Sequence, residues 1–334
     1  MGTGKYLDLR EGKGTVMAKQ DGKPIIVMGG LIRDIYLEVR HYPERGTDTL
    51  IKSAQTIPGG CALNAAVTLK NLGLNPHIVS LIGDGIEDQL LINYIRQKGL
   101  PEACILRQEG AANGFSINII DDEGERTFLT RKGSESVFRP MMISDRLMGE
   151  TPLLYLTGYY LQEAEYQEPI LNALKRLRDG GARILFDPGA LVENIGKEVL
   201  TEILKLAFCI TPNEGELKRL GTCIGVDNGL ISHLLDVGVE LVVRKEGMRG
   251  VTAYTRNETL HVWPYAGKRI DTTGAGDAFA SGLLYGFSVD APLKRSLQIA
   301  NGCGSLATRI WGPHGNFSLD DVELIVTNGK ELRV

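Results

Sequence analysis

Short apolar runs broken by glycine or proline alternate along the chain with amphipathic stretches, and this rhythm predicts strands and helices in turn. Residues 25–28, halted by Gly29 and Gly30, read as a first strand. Residues 61–72 carry Ala62, Ala65, Ala66 and Leu69 at helical spacing, and residues 78–82 read as the next strand, completing one βαβ-like step. A helix is expected over 87–98, ahead of Gly99. From residue 153 the strands fall at 153–156, 184–186, 207–210 and 241–243, separated by helices near 162–179, 195–205, 214–220 and 228–237. Helices at 276–287 and 292–308 close the core. The fold class that follows is α/β, a doubly wound and mostly parallel sheet with helices on both faces. In such sheets, sites gather beyond the C-terminal ends of the strands.

Two regions depart from the rhythm. Residues 35–57 hold short, partly alternating runs interrupted by His41-Tyr42-Pro43 and Gly46, and residues 104–109, 114–120 and 125–130 resemble strands joined by polar turns such as Asp121-Asp122-Glu123-Gly124. The pattern predicts a small antiparallel sheet from segments 35–57 and 104–130, covering the cleft as a lid. Residues 1–20 read as a flexible lead-in and 21–334 as a single domain, with no apolar run long enough to span a membrane.

With 334 residues of which 43% are hydrophobic, the chain can build one large core. Its net charge is -4 with Lys and Arg scattered, so neither a nucleic-acid groove nor an anionic membrane surface is expected, and a phosphate would have to be met locally. Cys61, Cys104, Cys209, Cys223 and Cys303 are widely spaced without CxxC or Cys/His ligand spacing and read as free thiols, which fits a cytoplasmic setting.

The densest chemistry lies in Asp271-Thr272-Thr273-Gly274-Ala275-Gly276-Asp277, running into the apolar stretch Ala278-Phe279-Ala280-Ser281-Gly282. Thr272 and Thr273 are candidate helix caps, while Gly274, Ala275 and Gly276 let backbone amides at a helix start approach an anion. Charge developing on a transferred phosphoryl group is stabilised by such fixed donors. Asp277, one turn into the helix, is placed to accept a proton from a hydroxyl, and Asp271 to orient the loop or the water around a metal. An ordinary buried turn is the plain alternative, and the segment has neither the GxxxxGK[ST] nor the GxGxxG signature. Upstream, Gly59-Gly60-Cys61-Ala62-Leu63-Asn64 offers a glycine pair for close approach to a polyhydroxylated ligand and an amide side chain to hydrogen-bond it.

These two segments resemble the C-terminal and N-terminal signatures of the ribokinase-like (PfkB) carbohydrate kinases, and the resemblance runs from about residue 25 to the C-terminus. It implies a kinase moving the γ-phosphate of ATP to a hydroxyl of a sugar or nucleoside, with Asp277 as catalytic base and Gly274, Ala275 and Gly276 as its anion hole. Asp34 follows the first strand and an arginine and reads as an exposed carboxylate able to bind paired hydroxyls, and the resemblance implies that it holds the acceptor together with Gly59, Gly60 and Asn64. Asn213 and Glu216 of Thr211-Pro212-Asn213-Glu214-Gly215-Glu216 match an NxxE element that organises water and magnesium, although the same pair reads as a helix capping box. Lys245 with Gly247 and Gly250 matches a loop beside ATP, and Asn301 a position near the nucleotide base. Related enzymes bind potassium through backbone oxygens near residues 305–315 and the Asp271 loop, which makes Asp271 a candidate for a monovalent ion. In some members the lid also forms a dimer clasp, so a homodimer is a further expectation. Asp187 is a strand-end residue that lines the phosphate cleft or serves as a turn aspartate, and His314 reads as a turn residue.

The chain departs from the family in ways that bear on the acceptor. Ile32 stands where Asn or Ser often precedes the substrate-gripping aspartate, and Cys61 and Leu63 stand where members favouring free ribose carry Lys and Ala. A nucleoside or pseudouridine kinase is the alternative within enzymes, and a non-catalytic ligand-binding regulator the alternative outside them.

Overall fold

A computed structural model describes residues 22–123 and 125–333, so the expected lead-in over 1–20 lies outside the described residues. Among the described residues thirteen strands are formed: β1 Pro24–Met28, β2 Ile32–Val39, β3 Ile51–Gly59, β4 Asn75–Ile82, β5 Ile105–Arg107, β6 Phe115–Ile120, β7 Arg126–Arg131, β8 Leu153–Thr157, β9 Arg183–Asp187, β10 Ala207–Ile210, β11 Leu241–Lys245, β12 Val251–Tyr254 and β13 Thr259–Val262. Nine of them build one sheet in the order β13-β12-β11-β10-β9-β8-β1-β4-β5. It is parallel except for the β11-β12-β13 edge, where the pairings are antiparallel.

Both faces of this sheet are covered, as the near-continuous apolar strands require. Ile26 and Met28 of β1 enter one core with Leu174 and Leu177 of helix Ala164–Asp179 and Leu200 of helix Lys197–Leu206. Their neighbours Ile25 and Val27 enter the opposite core with Leu63 of helix Cys61–Asn71 and Leu283 and Leu284 of helix Ala275–Ser288. Alternation along a strand thus sends successive residues to two helical layers, the doubly wound arrangement expected. The C-terminal ends of β1, β8, β9, β10 and β11 open on one edge of the sheet.

The other four strands form a separate sheet in the order β3-β2-β6-β7. The expected lid differs in two respects. Strand β5, placed in the lid by its polar flanks, pairs instead with β4 through Ser80↔Ile105 and Leu81↔Leu106 and extends the large sheet. Nor is the lid purely antiparallel, because β2 and β6 run parallel in the register Asp34↔Ser116 and Tyr36↔Asn118. The hairpin β12-β13 and the helix Leu319–Asn328 lie outside the sequence expectation; each strand of the hairpin is only four residues long, too short for periodicity to register.

Candidate active site

Helix Ala275–Ser288 begins at Gly274, which adopts the left-handed conformation with φ 72° and lends no side chain to cap the amides that follow. The threonines expected to cap it do other work. Thr272 accepts a hydrogen bond from Arg126 (3.0 Å), and the Thr273 amide donates to Asp271 (2.7 Å). Ala275 N donates to the Thr272 carbonyl at 3.2 Å, and the amides of Gly276 and Asp277, which have no partner within the helix, are left for something else. Gly274, Ala275, Gly276 and Asp277 line a cleft of about 630 Å³, together with Asp187, Asn213, Glu216, Lys245, Gly247, Gly250 and Asn301. Residues named separately from the sequence are thus gathered along one cavity.

Asp277 stands at the end of that cleft, half-buried, with both carboxylate oxygens engaged. Asn64 Nδ2 donates to Oδ2 at 2.9 Å and the Tyr155 hydroxyl to Oδ1 at 3.1 Å. Burial pushes its pKa up to about 7; the Asn64 bond opposes the rise, Asp187 adds to it, and the Tyr155 bond and Lys245 oppose it. Such a carboxyl changes charge near neutrality, where a general base is most useful.

Across from the cleft, on the lid, Asp34 is not the exposed carboxylate that its polar neighbourhood suggests. It is buried on β2, and desolvation lifts its pKa to about 7 against the lowering influence of the Gly60 amide. The glycine pair makes this possible: a Cβ at Gly59 would overlap the Asp34 carboxylate, and Gly60, at φ 89°, would meet the Gly30 carbonyl. Gly59 and Gly60 therefore seat Asp34 as well as starting the helix that carries Asn64. The buried lid residues around Asp34 are themselves polar, with Tyr36 on β2 and Ser116 and Asn118 on β6. Among the described residues neither Tyr36 Oη nor Asn118 Nδ2 has a hydrogen-bond partner, and Asn64 Oδ1 is equally unpaired.

Lys245 ends β11 and bonds Asp187 at 2.7 Å, with Glu216 3.9 Å away. Burial alone would lower the pKa of its ammonium, but the two carboxylates outweigh it and hold the lysine charged. Asp187 is further fixed by Thr211 Oγ1 at 3.0 Å and by the Gly189 amide at 3.2 Å, so it is a strand-end counter-ion as well as a turn residue. Asn213 and Glu216 form the reciprocal capping box: Asn213 Oδ1 accepts from the Glu216 amide at 2.8 Å, and Glu216 Oε2 from the Asn213 amide at 2.7 Å. The Glu216 carboxyl is raised, because burial outweighs Lys245. Gly250, at φ 85°, lies so close to the Val262 carbonyl that a side chain would not fit, and the Asn301 amide ties down Val262 O (3.0 Å) and Trp263 O (3.1 Å). Among the described residues no cluster of three or more His, Cys, Asp or Glu could hold a metal ion. Besides Asp277, the carboxylates lining the cleft are Asp187 and Glu216, both beside Lys245, a donor pair that fits a cation carried largely by phosphates and water.

Asp271 is spent within the protein. It pairs with Arg126 of β7 at 2.7 Å and accepts from the amides of Thr273 (2.7 Å) and Gly312 (3.0 Å), leaving its side chain fully buried. This geometry fastens the small sheet to the loop before helix Ala275–Ser288 and gives the carboxylate expected as a monovalent-ion candidate three protein partners. His314 bridges Tyr94 Oη (3.2 Å) and the Pro58 carbonyl (3.0 Å), a structural role consistent with a turn residue. Two contributors escape a reading of the sequence. Tyr155 lies within the apolar run Leu153–Thr157 and reads as core, and Arg126 shows its importance only through a partner far along the chain.

A family model described as pfkB family carbohydrate kinase matches residues 23–314. The chain is 25% identical over 289 residues to the uncharacterized sugar kinase YegV of Escherichia coli (strain K12), covering 84% of this chain and 87% of that one. It is 25% identical over 284 residues to an ATP-dependent ribose-1-phosphate kinase of Halopiger xanaduensis, covering 84% and 90%. The crystal structure of ribokinase from Thermotoga maritima superposes with a TM-score of 0.79 at 23% identity, covering 91% of this chain and 99% of that one, which shows the shared fold.

Proposed function

The chain belongs to the pfkB family of carbohydrate kinases, and from that premise we propose that it transfers the γ-phosphoryl group of ATP to a hydroxyl of a sugar or sugar-like small molecule, with Asp277 as general base. The observation that carries this reading is the position of Asp277, which lies between the uncapped helix start lining the cleft and the Asn64 amide at the acceptor end. Asp277 takes the proton of the acceptor hydroxyl as its oxygen attacks phosphorus, and the amides from Gly274 to Asp277 stabilise the charge that develops. Lys245, kept charged by Asp187 and Glu216, adds a fixed cation at the same end of the cleft. Magnesium bound with ATP would screen the phosphate charge, with Glu216 and Asp187 reaching it through water. Asp34, Asn64, Gly59 and Gly60 hold the acceptor, and lid closure excludes water.

Polar side chains on the buried side of the lid favour a hydroxyl-rich acceptor over a nucleoside, whose base calls for an apolar slot. A relative named as a ribose-1-phosphate kinase adds sugar phosphates to the candidates. The exposed lid residues Leu50 (88%) and Ile51 (53%) suit contact with a second copy in a homodimer. The reading is tested by ATP-plus-magnesium turnover over free pentoses and hexoses, sugar 1-phosphates, sugar acids and nucleosides, with phosphorylated products detected by mass. A sugar or sugar phosphate should turn over fastest. Folded, ATP-binding protein that phosphorylates nothing across the panel would instead favour a regulator.

A pH dependence follows. Because Asp277 must be ionised to accept a proton and its pKa in the free protein is about 7, kcat/KM should fall roughly tenfold per pH unit below that point. A rate that stays flat down to pH 5.5 would remove Asp277 from the role of base.

A further inference from the structure

We propose that Tyr155 is a positioning residue for the catalytic base, holding Asp277 in one orientation and favouring its charged form through a hydrogen bond donated from the sheet floor. The inference rests on the proposed role of Asp277 and extends it to a residue that neither family signature contains.

Tyr155 occupies the middle of β8, between Val27 of β1 and Leu185 of β9, and belongs to the same apolar core as Phe279 and Ala280 of the helix that bears Asp277. Its ring is 1% exposed, so it cannot swing toward water. A phenol hydroxyl in the interior of a parallel sheet needs a partner, because leaving it unpaired costs free energy. That partner is Asp277 Oδ1. Asn64 Nδ2 takes the other oxygen from helix Cys61–Asn71, so two donors on separate elements fix the carboxylate from two sides. Each oxygen keeps a further lone pair, which leaves room for an acceptor hydroxyl.

The surroundings explain why this matters. Facing Asp277 are Lys245 from β11, which favours its charge, the carboxyls of Asp187 from β9 and Asp34 from β2, which disfavour it, and the Cys61 thiol at the start of the Asn64 helix, which stays neutral because burial and Asp277 push its pKa up to about 11. Burial disfavours the charge most. In that setting a donor aimed at Oδ1 helps keep the base ionised near neutrality. The Tyr155 phenol remains protonated throughout, since burial and the neighbouring Asp277 hold its pKa well above the ordinary value.

Tyr155→Phe removes the donor and keeps the ring. The experiment pairs its pH–rate profile with a carbon-13 NMR titration of the Asp277 carboxyl in aspartate-labelled protein, the resonance being assigned by its loss in Asp277→Asn. Both the kinetic acid limb and the NMR midpoint should move up by about one pH unit. Turnover near pH 6 should fall about tenfold, the rate near pH 9 should approach that of the parent, and KM for ATP should hardly change. An unmoved midpoint, or a loss equal at every pH, would overturn the proposal and leave Tyr155 a packing residue. If Tyr155→Phe fails to fold, 3,5-difluorotyrosine at position 155 supplies a stronger donor of the same shape, and the midpoint must then move down. The titration needs no acceptor, so failure to find any turnover would count against the kinase reading while the midpoint shift could still be read.

Discussion

Asp277→Asn is expected to lower kcat by about 10²–10⁴-fold with KM for ATP little changed, because it removes the proton acceptor while keeping the shape of the side chain. The substitution suits the site unusually well. Asn64 Oδ1 has no partner among the described residues, so a flip of the Asn64 amide would let that oxygen accept from the side-chain amide introduced at position 277, while the introduced carbonyl still accepts from Tyr155. The flip moves Asn64 Nδ2 to the place where its Oδ1 already lacked a partner, so the number of unsatisfied buried groups does not rise. The lost rate can then be assigned to chemistry rather than to collapse of the site. Retention of more than a tenth of parent turnover would mean that another group takes the proton.

The same variant should be more stable than the parent at pH 8. In the folded protein the Asp277 carboxyl has a pKa of about 7, against an ordinary value of 3.8. Between those values the native state binds more protons than the unfolded chain, so its stability falls as pH rises through that window. At pH 8 the parent carries the full cost of a charged, poorly solvated carboxylate, whereas Asn carries none. An increase of about 1–2 kcal/mol in unfolding free energy is expected at pH 8 after allowing for partial solvent exposure. At pH 5, where the parent is protonated, the gap should shrink. Thermal melts at the two pH values measure it directly. Stability lost on removing a residue would be ordinary, but stability gained at the expense of turnover marks a group held in place for its chemistry.

The residues that can be read from the chain and those that cannot differ in the range of the interactions that define them. Strands β1, β8, β9, β10 and β11 announce themselves because a buried parallel strand is a continuous apolar run, and glycine or proline stops it. The anion loop is legible for a similar reason: Gly274 to Asp277 are contiguous, and a small-residue turn entering an apolar helix carries its meaning locally. Asp34 reads as exposed because its burial depends on the absent Cβ of Gly59, on the neighbouring strand. Strand β5 reads as part of the lid because three residues, Ile105–Arg107, have the same appearance whichever edge they join. Tyr155 looks like any core aromatic until helix Ala275–Ser288 is docked above it. Arg126 and Asp271 become partners only when the lid folds over the loop. What stays hidden is therefore mostly tertiary pairing, and much of it converges on Asp277 and the loop before it.

Two neighbouring glycines separate the fold of that loop from its function. Gly276→Ala is expected to lower kcat/KM by about 10²–10³-fold while the protein melts within a degree or two of the parent, because the site loses an anion seat and the helix loses nothing. Gly276 has an ordinary helical backbone, alanine is a better helix former, and the nearest atom to the added methyl is Lys245 Nζ at 3.5 Å. That methyl would project between the lysine and the helix start, where a transferred phosphoryl group has to lie. Gly274→Ala should behave differently. Its φ of 72° is strained for any residue with a Cβ, and the added atom would overlap the Pro313 carbonyl. Relief would require moving the loop that also supplies the Gly312 amide to Asp271 and His314 to the Pro58 carbonyl. Both turnover and melting temperature should therefore fall in Gly274→Ala. Normal turnover in well-folded Gly276→Ala would show that phosphate does not sit against the first turn of this helix, and the proposed anion site would have to be abandoned.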